Sequence, residues 1–114
     1  MDILIIKPQW GTKILNGEKV WEIRGFNTKK RGTIAIAFSR TSKKHGQATL
    51  INTIELTEEM WNVSFEKHCI SGMTWEDLLD IYKHPFAWVF ESPLWYENPI
   101  PFTPHPGAVI WVKE

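Results

Sequence analysis

Cysteine is nearly absent from this chain. Cys69 is its only one, so no internal disulfide can form and a reducing compartment suits it. Long apolar runs are missing too: none approaches the roughly 20 residues that a membrane-crossing helix needs. The opening MDILIIKP is too short for a secretory signal and has no basic leader. These absences predict a cytoplasmic protein with no membrane partner. No repeat, low-complexity tract or linker breaks the 114 residues, which are the size of one domain spanning 1–114. There is no Gly-x-Gly-x-x-Gly or P-loop. The four histidines are scattered, without metal-ligand spacing, so neither a cofactor nor a metal is expected.

What the chain does have is an apolar share of 43%, enough for a core at this length, and seven tryptophans. The core cannot use every one of those rings, which leaves some for a surface or cleft. Net charge is zero, yet the charges are segregated: residues 1–46 hold ten bases and three acids, and residues 47–114 hold three bases and ten acids. Either the two parts neutralise each other in the fold, or NTKKRG and SRTSKK form a basic surface that meets phosphates.

The pattern of elements reads as follows. DILII is a short buried strand ended by Pro8. Residues 9–16 are helical by the spacing of Trp10, Ile14 and Leu15, and Gly17 suits the left-handed position after the helix. KVWEIR, TIAIAFS and GQATLINTIEL are strands, with GFNTKKRG as a basic loop. LTEEMWNVSFEKH is irregular or a short helical turn. GMTWEDLLDIYKH is a helix capped by Thr74, striped by Leu78, Leu79 and Tyr82, and stopped by Pro85. FAWVFES is a strand, PLWYENPIPFTPHPG a proline-rich loop with IPF briefly extended, and AVIWV the closing strand. The elements do not alternate as a parallel doubly wound sheet requires. They predict an α+β, mainly β fold: a small barrel of five to six strands, mostly antiparallel, flanked by two or more helices.

The stretch GEKVWEIR places three charges in one short strand. Alternation puts Glu22 and Arg24 on one face, where they can pair, and Trp21 and Ile23 on the other, in the core. Lys19 stands at the strand's mouth, where its long stem lets the amine reach around the rim. One reading is a solvated face with an ion pair worth about 0–1 kcal/mol. The other is a ligand site.

LIIKPQWGTKILNGEKVWEIRG resembles the opening of the ASCH domain (activating signal cointegrator homology), with its signature of Gly17, Lys19, Glu22 and Arg24. RGTIAIAFSRT is similar to the strand that follows the signature, and FAWVFESPLWYENPIPFTPHPGAVIWV to the family's late strands and proline-rich loop. The resemblance implies a PUA-like fold and a cleft lined by Lys19, Glu22 and Arg24. Lys7, in the matched opening, and Ser39 and Arg40, at the end of the AIAFS strand, join it as ligand contacts.

Two functions follow from that resemblance. The first is a module binding RNA or a modified nucleoside or nucleotide, with single-stranded DNA as the alternative strand. Lys19 and Arg24 donate, Glu22 accepts, and Trp10 and Trp95 offer stacking platforms at the cleft mouth. The second is a small hydrolase, N4-acetylcytidine amidohydrolase-like or a ribonuclease, with Lys19 and Glu22 as catalytic residues. In the amidohydrolase branch the lysine is partnered by a threonine three residues on and by a glutamate ahead of the second helix. Here those places hold Glu22 and Ser71 or a near neighbour, so only the lysine carries over, with Glu66 or Glu91 able to supply a carboxylate from elsewhere.

Overall fold

The computed structural model describes residues 1–104 and 111–113. Its centre is β1, Asp2–Ile6. Both Ile3 and Leu4 are fully buried, on opposite faces of the strand. An uninterrupted apolar run is what such a two-sided burial requires. Strand β1 pairs in parallel with β3 (Gly32–Phe38) and antiparallel with β6 (Trp111–Lys113). All other pairings are antiparallel, and the six strands run in the order β2-β5-β4-β3-β1-β6.

Pro8 does more than end β1. It occupies the first turn of helix α1 (Pro8–Leu15), where its missing N–H is no loss. Gly17 follows at φ +80°. Strand β2 (Trp21–Arg24) begins two residues later than its β-formers predicted, so Lys19 precedes the strand and its direction is not tied to alternation.

Strand β4 (Lys43–Glu55) starts before Gly46, which is no entry point but a close crossing. A Cβ there would collide with the Leu94 carbonyl and meet Leu15 Cδ2 at 2.7 Å. The stretch after β4 forms helices α2 (Glu58–Val63) and α3 (Phe65–His68). Helix α4 (Trp75–Ile81) carries a full capping box between Thr74 and Asp77. It ends at Ile81, ahead of Pro85, and only Leu78 of the expected stripe is fully buried, because Leu79 is turned out to solvent.

The largest departure from expectation is β5, which runs from Phe86 to Pro101. The proline-rich segment from Pro93 to Pro101 is strand rather than loop. Its pairing with β4 shifts register between Lys44 and Gly46 and again between Gln47 and Thr49. Pro93 and Pro99 fall in those irregular stretches, where no ladder N–H is demanded of them. Ser92, at φ 53°, takes part in the shift between Gln47 and Thr49. The expected closing strand at 108–112 is seen from Trp111 onward, as β6; its residues 108–110 lie outside the described residues.

The sheet curls into a half-barrel. Strands β2 and β1 are separated by three others in the pairing order, yet Arg24 on β2 donates from Nη2 to the Ile5 carbonyl of β1 at 3.3 Å. Leu4, Ile34, Ile36, Leu50, Trp88 and neighbours fill the inside. A second cluster of Trp21, Ile23, Trp61 and Leu78 fastens the later helices onto β2. The two basic segments of the sequence are not brought together: NTKKRG precedes β3 and SRTSKK follows it, so the strand's seven residues separate them by about 20 Å. At the first end Lys30 is paired with Asp2 at 2.7 Å, and Arg31 donates to the Thr28 and Lys30 carbonyls.

Candidate functional site

Where β2 approaches β1, the curled sheet leaves a pocket of about 880 Å³. That lies within the range of about 300–1,000 Å³ typical of small-molecule sites. Its polar floor is the charge trio. Lys19 is 1% exposed and Glu22 5% exposed, so the picture of a solvated strand face does not hold. Glu22 Oε2 accepts from Arg24 Nε at 2.9 Å, with Nη2 also 2.9 Å away. Glu22 Oε1 stands 4.0 Å from Lys19 Nζ, and no hydrogen bond reaches Oε1 from the described residues.

Lys19 is placed by the late helices. Its amine donates to the carbonyl of His68, at the end of α3, and lies 4.9 Å from the centre of the Trp10 ring. The chain around it is laced to the same turn, since the Val20 N–H donates to the Lys67 carbonyl at 3.1 Å. His68 in turn stacks on Trp61 with ring centres 3.8 Å apart, accepts from the Ile70 N–H at Nδ1, and lies 3.1 Å from the Trp61 carbonyl at Nε2. Burial holds the imidazole below its ordinary pKa, opposed by the Trp61 carbonyl and aided by the nearby Lys19 charge.

Burial is also the main influence on Lys19. Loss of water lowers its pKa from 10.5 to about 8, with Arg24 pushing the same way and the Glu22 carboxylate resisting. About a tenth of the amine is therefore neutral at pH 7. A lysine of this kind serves either as a cation aimed at a ligand or as a ready nucleophile.

The pocket brings together Lys7, Trp10, Lys19, Glu22, Arg24, Ser39 and Arg40. Trp95 is apart from them: its ring packs edge-on against Phe38 and its indole N–H donates to Asn16 at 2.8 Å, outside the pocket lining. Ser39 is held near the site because its N–H donates to the Ile6 carbonyl at 2.8 Å, which fixes the β3–β4 turn beside Lys7.

The opposite wall was not foreseen. It consists of Ile70, Met73, Leu78, Ile81 and Tyr82. The Leu78 and Tyr82 stripe signalled an apolar face, but not that part of this face would border a cleft. Gly25 makes room for the phenol, since a Cβ there would lie 2.5 Å from Tyr82 Cδ1. Four cations and one carboxylate thus face an apolar wall bearing an aromatic ring. Such a lining suits an anion joined to a flat group with hydrogen-bond donors.

Neither Glu66 nor Glu91 lines this pocket, and both are exposed. Ser71 borders a separate hollow of about 300 Å³ with Trp61, Phe65 and His68. No group of three or more metal-binding side chains occurs among the described residues, and no helix there is long and apolar enough to cross a membrane.

The ASCH domain family model matches residues 4–104. Among solved structures, the ASCH protein of Zymomonas mobilis superposes with a TM-score of 0.72 at 17% identity, over 88% of this chain and 72% of that one. A single-residue variant of the same protein gives a TM-score of 0.72 at 17% identity, over 88% of this chain and 74% of that one. At that identity the likeness speaks for the fold. No curated protein matches the sequence.

Proposed function

The chain belongs to the ASCH domain family, whose members are generally RNA-binding PUA-like modules, and from that premise we propose that it binds RNA or a modified nucleotide in the Lys19–Glu22–Arg24 pocket. The observation that carries the reading is the burial of Lys19 and Glu22, with the half-buried Arg24 beside them, at the floor of an open hollow. Keeping a lysine charged there works against folding, and an apolar side chain would fill the space at less cost. Its use is to present donors in a water-poor site, where hydrogen bonds to an anion or a base edge are strong. Glu22 Oε1 adds an acceptor for an exocyclic amine. Trp10 and Tyr82 both line the pocket and supply aromatic surface, and base stacking on such rings contributes about 1–3 kcal/mol per base. The lone Cys69 favours a cytoplasmic setting for this activity.

A hydrolase is the second reading, favoured by the lowered pKa of Lys19. One assay separates the two. The protein is incubated with RNA oligomers and acylated nucleosides, and both retention and products are followed by mass spectrometry. Binding of intact RNA without product supports the module. Product formation that disappears in Lys19→Ala supports the hydrolase, and neither retention nor product defeats both.

A further inference from the structure

The two lips of the pocket differ in charge, and this bears on how a nucleic-acid strand would lie across it. One lip is built from the end of β1, the start of α1 and the β3–β4 turn, and contributes Lys7, Ser39 and Arg40 to the lining. The stretches that form it, residues 6–10 and 39–44, contain four cations and no acid. Three of those cations, Arg40, Lys43 and Lys44, lie in or just after the turn. Its shape is fixed: Arg40 and Ser42 hold φ of 69° and 55°, and Thr41 Oγ1 donates to the Phe38 carbonyl at 2.8 Å.

The other lip is made by Ile70, Met73 and Ile81. The helical segment that carries it, residues 57–84, has six acids and two lysines. Ile81 is 57% exposed, and Asp80 beside it is exposed as well. A phosphate crossing there would meet like charge and apolar surface.

We propose that a bound single strand keeps its phosphates on the Lys7–Arg40 lip and continues along the β3–β4 turn, with one base turned inward against the Ile81–Tyr82 wall. The inference rests on the nucleotide-binding reading above and adds the path of the polymer. A strand laid this way does not cross α4, so its flanking phosphates lie on one side of the pocket. The inserted base meets Glu22 and Lys19 at the floor and an apolar surface at its face.

Salt dependence tests the path. Binding of fluorescein-labelled RNA octamers, one of each homopolymer, is measured by anisotropy from about 50 to 200 mM salt. Each phosphate contact on a single strand contributes about −0.7 to the slope of log K against log salt. Arg40→Gln is expected to weaken the best octamer several-fold and reduce the slope by about 0.7, with Arg40→Glu weakening it at least tenfold. Asp80→Lys is expected to leave affinity within about twofold and the slope unchanged. Melting curves confirm that each variant folds. A steeper slope and tighter binding in Asp80→Lys, or no change in both Arg40 variants, would overturn the path while leaving nucleotide binding intact. No binding of any octamer to the unmodified protein would overturn the path and remove its premise as well.

Discussion

Replacing Lys19 with methionine separates function from stability. The two side chains have similar length, and the substitution removes the buried charge with its hydrogen bond, its 4.0 Å approach to Glu22 and its contact with the Trp10 ring. Holding the ammonium at a pKa of about 8 instead of 10.5 costs the fold about 3 kcal/mol at pH 7. Losing the charged hydrogen bond to the His68 carbonyl costs about 2 kcal/mol in the other direction. Glu22 keeps its pairing with Arg24, so no carboxylate is abandoned. The sum favours the variant by about 1 kcal/mol, which for a domain of this size raises Tm by about 4 °C. Ligand binding should fall at least tenfold, a loss of about 1.4 kcal/mol or more. The pH profile gives a second check. The unfolded lysine holds its proton up to about 10.5 and the folded one only up to about 8, so between these values the unfolded state binds more protons. Stability contributed by this residue therefore rises from pH 8 to 10.5 in the parent and stays flat in Lys19→Met. Differential scanning fluorimetry across that range, with RNA binding on the same samples, makes the comparison. A drop in Tm of more than about 10 °C with binding retained would refute the reasoning and make Lys19 a structural residue.

Arg24→Ala should behave differently, because it leaves the 5% exposed Glu22 without its close partner: a loss of about 3 kcal/mol is expected in urea unfolding, and adding Glu22→Gln should recover part of it. Gly46→Ala should destabilise by more than about 2 kcal/mol, since the new methyl collides with the Leu94 carbonyl and the Leu15 side chain; a neutral result in thermal melts would show that β4 and β5 can separate. Thr74→Ala should cost about 1 kcal/mol through loss of the α4 cap, read by the same melts.

Much of the fold was legible because local chemistry and tertiary need agreed. The apolar run of β1, the spacing of Trp10, Ile14 and Leu15 in α1, Gly17 after it and the Thr74 cap each point to one local structure. The outer half of β5 was not legible. Pro93, Pro99 and Pro101 mark a loop in sequence, and only the long partner β4, with register shifts that absorb the prolines, turns that segment into strand. At the site, the trio was visible as charges set among β-formers. Its burial was not, because that depends on the approach of β2 to β1 and on the His68 turn, 49 residues away from Lys19. Trp95 shows the converse. An aromatic ring in a late segment suggests a platform at the cleft, whereas the register of β5 sets it over Phe38.

The central claim is that the buried Lys19 amine meets the ligand. NMR of the lysine side-chain amines, with Lys19 assigned by the Lys19→Met variant, follows that group directly as an RNA octamer is added. The Lys19 signal, with its midpoint near pH 8, is expected to shift on titration, and its pKa to move up as phosphate or base contacts form. Shifts confined to surface lysines such as Lys29 and Lys83, with the Lys19 signal and its midpoint unmoved, would contradict it.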